Sequence, residues 1–461
     1  MRFLFGRKKR AKDTPALGEA TNAAPDTALK EQLSGRVAFM LSSSGPIVDV
    51  VLPPPPRVVV ASFNIGGGEL DGPSLDVWLR RGAAGDGSPA AVVVVGLQEA
   101  SHRAYKATET MLARHLVDHE RVPLAYEHDD ARETASARRI GLQLFCFVAK
   151  GWRCAAAAPA RYVNLALDGA QPAQAFKGAL AARVGLRSDL GDDRAFEVCA
   201  VVAHLPAHEG RAAQRVKAIG TIQEALGDYV ARADAAFFFG DLNFRVDPRD
   251  DRDAGAFRAA LKAAADLSRD EGDLSPKHAA PAVVMEDDPE ARSLVLARVA
   301  AGDFAAILAW DELGRLLAHV RRKRGAFAAA HPARFLTWRD APCDGFAPTF
   351  KVLKGAAPTV YSEKRIPAYT DRVLYRGRAT LADHAAAHGV ALSDHKPTRA
   401  TFALGDEAPR ETPRKPSRRG SLGTAGAPRP AASPLGLSPG VSNTRLSPGV
   451  SNTRHAAWEP P

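Results

Sequence analysis

The stretch that decides the fold is residues 235–245, Ala-Ala-Phe-Phe-Phe-Gly-Asp-Leu-Asn-Phe-Arg. Its first part is a short apolar run rich in aromatic residues, which predicts a strand covered on both faces. Asp241, Asn243 and Arg245 follow this run at once. An Asp or Asn after a strand is usually a turn residue, but ligands of α/β sheets also bind where strands end. The stretch therefore predicts a turn or the edge of a site.

The same pattern extends outward along the chain. Other short β-branched or aromatic runs predict strands, and longer patterns of helical period alternate with them. The further predicted strands are 58–62, 91–96, 141–148, 196–203, 372–375 and 398–402, and the predicted helices are 105–119, 211–229 and 303–320. Alternating strands and helices predict the α/β class.

Polar side chains also follow other predicted strands. Asn64, Glu99 and His204 each come directly after an apolar run, and Asp394 and His395 precede the last one. Each of these residues alone would be read as a turn or core residue, but together they indicate one cleft. Carboxylate and amide oxygens without cysteine ligands suit a hard cation such as Mg²⁺, which a substrate phosphate completes. Histidine can donate hydrogen bonds to that phosphate or protonate a leaving group.

Composition limits the class of protein. The chain has 461 residues, of which 46% are apolar and 25% charged, the balance of a soluble globular protein. No run of about 18 apolar residues predicts a membrane span, and the start lacks the pattern of a signal peptide. The four cysteines are scattered, which favours a reducing compartment. We therefore expect a cytoplasmic protein.

The positive charge lies mainly at the two ends. The net charge is +10, and residues 1–12 hold six basic groups and no acid, while residues 13–404 are about neutral. A nucleic-acid-binding domain usually carries its basic excess in the folded body, so no nucleic-acid partner is expected. A basic head suits an anionic membrane surface, which predicts peripheral membrane association.

Three segments are predicted from these patterns. Residues 1–56 form a basic, proline-rich tail, and residues 57–404 form the folded domain, with an acidic insertion at about 247–300. Residues 405–461 are low in complexity and contain an identical tandem repeat, Leu-Ser-Pro-Gly-Val-Ser-Asn-Thr-Arg. Such a composition does not bury enough apolar surface to order itself.

Two motifs carry a resemblance to a known family. They are residues 240–245, Gly-Asp-Leu-Asn-Phe-Arg, and residues 367–374, Pro-Ala-Tyr-Thr-Asp-Arg-Val-Leu. Supporting motifs occur in the family's order at 96–99, 204–208, 348–351 and 393–397. The chain resembles the inositol polyphosphate 5-phosphatases, within the endonuclease/exonuclease/phosphatase superfamily. The resemblance implies a deoxyribonuclease-I-like fold, a four-layer sandwich of two packed mixed β-sheets flanked by helices.

The resemblance also implies catalytic roles for matching positions. Glu99 would be the principal Mg²⁺ ligand, with Asn64 beside it. Asp241 would orient and deprotonate the attacking water. Asn243 would hold the water or the phosphate. His204 and His395 would contact the scissile phosphate. Asp371 or Asp394 would fix the His395 ring and keep it charged.

Substrate contacts are implied in the same way. Lys351, Lys364 and Arg365 would face a neighbouring 4-phosphate, and Tyr369 and Arg372 lie in the second motif, where Arg372 is as readily structural. The implied activity is magnesium-dependent hydrolysis of the 5-phosphate of phosphatidylinositol 4,5-bisphosphate or 3,4,5-trisphosphate, or of soluble inositol polyphosphates. The chain departs from the family where Phe63 replaces a usual Trp and where Glu363 replaces a usual Lys.

Two other functions remain open from the sequence. A metal-dependent nuclease of the same superfamily would share Asn64, Glu99, Asp241, Asn243 and His395. A catalytically inactive membrane adaptor would keep the fold but should have lost at least one of these groups. Release of phosphate from an inositol compound, set against cleavage of DNA, separates these readings.

Overall fold

A computed structural model of the chain describes residues 55–80, 89–125, 141–165, 177–189, 194–248, 288–322, 335–356 and 358–405. The predicted tails, apart from their few residues next to the domain, and most of the acidic insertion lie outside these residues. The division into three segments therefore stays a prediction.

The described strands form two six-stranded sheets. They are β1 (Arg57–Asn64), β2 (Val92–Gln98), β3 (His119–Val122), β4 (Gln143–Ala149), β5 (Trp152–Asn164), β6 (Gly178–Ser188), β7 (Ala195–His204), β8 (Ala235–Asp241), β9 (Arg339–Asp340), β10 (Asp371–Gly377), β11 (Ala379–Ala386) and β12 (Thr398–Leu404). The first sheet has the order β11-β12-β1-β2-β4-β3, and the second has the order β5-β6-β7-β8-β10-β9. Each sheet contains one parallel pair, β1 with β2 and β7 with β8, among antiparallel neighbours.

Helices cover the outer face of each sheet. They are α1 (Gly72–Leu79), α2 (Tyr105–His115), α3 (Ala212–Ala231), α4 (Pro289–Ala300), α5 (Phe304–Ala309) and α6 (Glu312–Arg322). One core packs the facing sides of the two sheets together, where Val60 and Val94 of the first sheet meet Phe237 and Phe239 of the second. Two further cores pack α1 and α2 on one outer face and α3 and α6 on the other. The predicted four-layer sandwich is confirmed.

The local predictions missed α1, α4, β3, β9 and β11. Two further differences from the structure have a physical reason in the sequence. The predicted helix over 303–320 is wrong as one element, because the chain breaks between α5 and α6 at Asp311. The Asp311 carboxylate accepts a hydrogen bond of 2.7 Å from the Gly314 amide and pairs with Arg372, so it starts a new helix. The sequence did not predict β5 and β6, because alanine is their commonest residue and each contains only one β-branched residue.

Gly240 fixes the end of β8. Its φ is +132°, and a Cβ there would lie 2.1 Å from the Ala203 carbonyl oxygen. Only glycine fits this close approach of two parallel strands. The residue that follows is Asp241, so the tight end of β8 places its carboxylate at the edge of the sheet.

Candidate active site

The polar groups predicted from strand ends meet at one edge of the sandwich. Asn64 and Gln98 are register partners at the ends of β1 and β2. In the second sheet, Asp241 is the register partner of His204 on one side and of Asp371 on the other. The cleft therefore forms where the ends of both parallel pairs come together.

Asp241 lies at the centre of the cleft. Its Oδ2 accepts a hydrogen bond of 3.0 Å from Asn64 Nδ2 and lies 3.2 Å from His204 Nε2 and 3.8 Å from His395 Nε2. Burial alone would raise the pKa of Asp241, but His395 and His204 together hold that pKa well below its usual range. Asp241 is therefore ionised throughout the physiological range.

His395 is held by a second aspartate. Its Nδ1 lies 3.1 Å from Asp371 Oδ2, and Phe350 covers the ring at 4.4 Å between centroids. Burial would lower the pKa of His395, but the charges of Asp371 and Asp241 outweigh burial and raise the pKa to about 9. His395 is thus an imidazolium at neutral pH.

The two alternatives for fixing His395 are separated by the geometry. Asp371 makes the contact with the ring, whereas Asp394 pairs with Lys351 at 2.8 Å. Thr349 and Thr370 donate hydrogen bonds of 2.6 and 2.9 Å to the same Asp371 oxygen. The motif at 348–351 therefore serves to hold the aspartate that orients His395.

Glu99 lies at the mouth of the cleft. Its side chain is 44% exposed, and its Oε1 lies 3.2 Å from Asn64 Nδ2 and 3.7 Å from His204 Nε2. A partly exposed carboxylate beside the ionised Asp241 gives hard oxygen donors with room for water, which fits a cation such as Mg²⁺. Asn64 fits less directly, because its Oδ1 accepts from the Gly66 amide at 3.0 Å while its Nδ2 faces both carboxylates. In this arrangement the amide positions the two acids.

A second set of possible metal ligands lies deeper. Atoms of Asp241, Asp371 and His395 lie within 4.8 Å of one another. Two carboxylates and one ring nitrogen could hold a cation at this point, while Glu99 offers a carboxylate nearer the mouth of the cleft. The metal site predicted at Glu99 stays a prediction.

Asn243 is engaged at both ends of its side chain. Its Nδ2 donates to the Leu205 carbonyl at 3.1 Å, and its Oδ1 accepts from Arg245 at 2.7 Å. Its backbone amide donates to Asp241 Oδ1 at 3.1 Å. Asn243 thus orients Asp241 as well as lying beside the cleft, and its φ of +58° is a conformation that Asn tolerates better than most residues.

The three predicted substrate cations lie between positions 351 and 365, a segment at the rim that we call the basic loop. Lys364 is exposed, Arg365 is half-buried and within 4.0 Å of Glu209, and Lys351 is tied to Asp394. Because Asp394 directly precedes His395, this basic loop borders the cleft.

The expectation that Tyr369 and Arg372 contact substrate is not met. Both side chains are buried. The Tyr369 hydroxyl donates to the Phe346 carbonyl at 2.9 Å, and the Arg372 guanidinium pairs with Asp311 and Asp340. Burial in these contacts leaves both residues to hold elements together.

Lys177 belongs to the cleft although the sequence motifs did not reveal it. It directly precedes β6, and its Nζ contacts His204 Nε2. Burial lowers the pKa of Lys177 to about 8, although Asp241 and Glu99 act to raise it, and burial together with the Lys177 charge lowers the pKa of His204. A lysine directly before a strand could have indicated a residue of the cleft, but β6 itself was not predicted from the sequence.

The comparison with protein families gives the class. Residues 61–271 and 324–401, more than half of the chain, match the family described as Endonuclease/Exonuclease/phosphatase family 2. The chain therefore belongs to this family, and we describe it as a hydrolase of the phosphatase and nuclease type. No curated protein matches the sequence.

A solved structure with a TM-score above 0.5 shows the same fold at low identity, and two others are similar to a lower degree. The inositol polyphosphate 5-phosphatase domain of SPsynaptojanin, bound to inositol (1,4)-bisphosphate and calcium, is 20% identical with a TM-score of 0.51 and covers 76% of this chain and 84% of that one. A Cimex nitrophorin is 12% identical (TM-score 0.46; 77% and 99% covered), and the human nocturnin catalytic domain is 13% identical (TM-score 0.34; 76% and 94% covered). Among the described residues, none of the helices has the length and apolarity to cross a membrane.

Proposed function

We propose that the protein hydrolyses the 5-phosphate of inositol compounds that also carry a 4-phosphate, in a reaction that requires Mg²⁺, and that phosphoinositide lipids are preferred. The observation that carries the proposal is the basic loop beside the charged His395. A site for one phosphate is thereby bordered by cations suited to a second. The SPsynaptojanin domain, which is described as binding inositol (1,4)-bisphosphate, supports the inositol class.

Asp241 positions the attacking water. Because the pKa of Asp241 is held low, this carboxylate is a weak base, and its main contribution is to orient the water by accepting a hydrogen bond. Asn64 and the Asn243 amide fix the two Asp241 oxygens. Holding a nucleophile in the attacking geometry is a large part of enzymatic phosphoryl transfer.

The two histidines contact the scissile phosphate. His395 carries a positive charge, so it can donate a charge-assisted hydrogen bond to phosphate oxygens that gain charge in the transition state. His204 is buried beside Asp241 and Glu99 and offers its ring at the same cleft. A Mg²⁺ ion held by Glu99 would supply the charge that stabilises the leaving oxygen.

The basic loop also has the features of a membrane contact. The Leu353 amide donates to the Val360 carbonyl at 2.7 Å, and these two residues are 48% and 46% exposed. Lys354 and Lys364 are exposed on the same loop. Exposed apolar side chains flanked by lysines suit an anionic lipid surface, which would bring the cleft to a lipid headgroup.

The proposal is tested with the purified full chain and a panel of substrates. The panel contains vesicles with phosphatidylinositol 4,5-bisphosphate, soluble inositol 1,4,5-trisphosphate and a DNA duplex with an abasic site. We expect phosphate release from both inositol compounds, with the higher kcat/KM on the lipid, and no cleavage of DNA.

Each alternative has its own outcome in this panel. Cleavage of DNA without phosphate release would support the nuclease. Binding to vesicles with neither reaction would support the inactive adaptor. Higher kcat/KM on the soluble compound would remove the lipid preference and leave the 5-phosphatase chemistry in place.

A further inference from the structure

Lys177 is a buried cation that the proposed mechanism does not use. The residue is 7% exposed, and its ammonium contacts His204 Nε2. His204 Nε2 in turn lies 3.2 Å from Asp241 Oδ2 and 3.7 Å from Glu99 Oε1. A positive charge is therefore placed at the point where the two carboxylates of the cleft converge.

The backbone holds the lysine in this position. The Leu165 amide donates to the Lys177 carbonyl at 3.1 Å, and Gly178 is the register partner of His204. Lys177 therefore starts from the edge of β6 next to the end of β7, which directs it toward the cleft. Burial of an ammonium is costly unless anions compensate it, and Asp241 and Glu99 provide that compensation.

A divalent cation at Glu99 and the Lys177 ammonium would draw on the same negative charges. Like charges a few ångströms apart repel strongly in a partly buried site. We propose that Lys177 is a built-in counter-ion that weakens the affinity of the substrate-free cleft for Mg²⁺. A substrate phosphate brings further negative charge, so Lys177 favours binding of metal together with substrate over binding of metal alone. This inference rests on the proposed metal site at Glu99.

The test is calorimetric titration of MgCl₂ into the full chain without substrate. We compare the wild type with two neutral variants, Lys177→Met and Lys177→Gln, and with Lys177→Arg, which keeps the charge. Both neutral variants should bind Mg²⁺ at least tenfold more tightly than the wild type. Lys177→Arg should stay within about threefold of the wild type, and circular dichroism shows which variants fold.

A Glu99→Gln variant separates failure of this inference from failure of the proposed function. If Glu99→Gln binds Mg²⁺ as the wild type does, the metal site is misplaced, and the counter-ion role falls with it. If Mg²⁺ binding depends on Glu99 but a folded neutral Lys177 variant binds with unchanged or weaker affinity, the counter-ion role is wrong and the metal site stands. If Lys177→Met does not fold, Lys177→Gln against Lys177→Arg decides in the same way.

Discussion

The Oδ2 atom of Asp371 lies 3.1 Å from Nδ1 of His395, and the opposite ring nitrogen of His395 lies 3.8 Å from Asp241 Oδ2. One imidazolium thus bridges two buried carboxylates at the floor of the cleft. This relationship sets the charge of the ring and the direction of its outer N–H group, and the pH dependence of the protein should reflect it.

The first prediction concerns the pH profile of activity. Because His395 must be charged to contact the phosphate and its pKa is raised to about 9, kcat should fall above about pH 9. Asp371→Asn removes the largest of the three carboxylate charges that raise this pKa, those of Asp371, Asp241 and Asp394, so the alkaline limb should move to lower pH. Its kcat should drop at least about tenfold, because a less highly charged ring stabilises the negative charge that develops on the phosphate less well. Thr349→Val, which keeps the carboxylate, is the control and should move the limb less. An alkaline limb that is the same in Asp371→Asn and wild type would contradict this role.

The second prediction concerns stability. The folded pKa of His395 is raised above the unfolded value of 6.5, so its contribution to the free energy of unfolding is fully present below pH 6.5 and is lost as pH rises through 9. Integration of this linkage gives a loss on the order of 1–2 kcal/mol between pH 6.5 and 8. Lys177, whose pKa is lowered from 10.5 to about 8, works in the opposite direction, because its contribution to stability rises as pH passes through about 8 toward 10.5.

This loss is measured by urea unfolding in the presence of a chelator at both pH values. The difference between wild type and His395→Gln isolates the contribution of the ring. An equal pH dependence in the two proteins would show that the native pKa of His395 is not raised.

The sequence predicted the parts of this arrangement that follow from single strands. The apolar runs that end in Asn64, Glu99, His204 and Asp241 fix their own strands, so their meeting at one edge followed from the α/β class. Lys177 was not predicted because β6 consists mainly of alanine, glycine, arginine and leucine and contains a single β-branched residue, Val184. The choice between Asp371 and Asp394, and the burial of Arg372, depended on packing between distant segments, which no local pattern encodes.

The third prediction separates Arg372 from the chemistry. Arg372 is buried between Asp311, which is fully buried, and Asp340, whose side chain is 15% exposed. Removing one partner of a buried ion pair leaves uncompensated charge, so Arg372→Met should lower the free energy of unfolding by about 3–5 kcal/mol. Arg298→Met, which breaks an exposed pair of 2.9 Å with Asp303, should cost about 1 kcal/mol or less. Urea unfolding measures the loss in each variant. If Arg372→Met is as stable as the wild type but inactive, Arg372 contacts the substrate after all.

The fourth prediction concerns membrane binding by the basic loop. A double variant, Leu353→Ser with Val360→Ser, should weaken binding to anionic vesicles at least about fivefold, because each side chain contributes about 1.5–3 kcal/mol when fully buried. Its kcat/KM on soluble inositol 1,4,5-trisphosphate should stay unchanged. Val117→Ser is the matched control, since Val117 is 58% exposed in the turn before β3. Equal losses on lipid and soluble substrate would indicate damage to the cleft instead of loss of membrane contact.

The most direct test of the central claim is the position of the phosphate that is removed and the need for the metal. We would incubate the full chain with phosphatidylinositol 4,5-bisphosphate vesicles and Mg²⁺ and identify the remaining monophosphate by chromatography. We expect phosphatidylinositol 4-phosphate as the product and no reaction with a chelator. Turnover should fall at least about a hundredfold in folded Asp241→Asn, because the attacking water is no longer held in position. Release of the 4-phosphate, chelator-resistant release, or a fully active Asp241→Asn would contradict it.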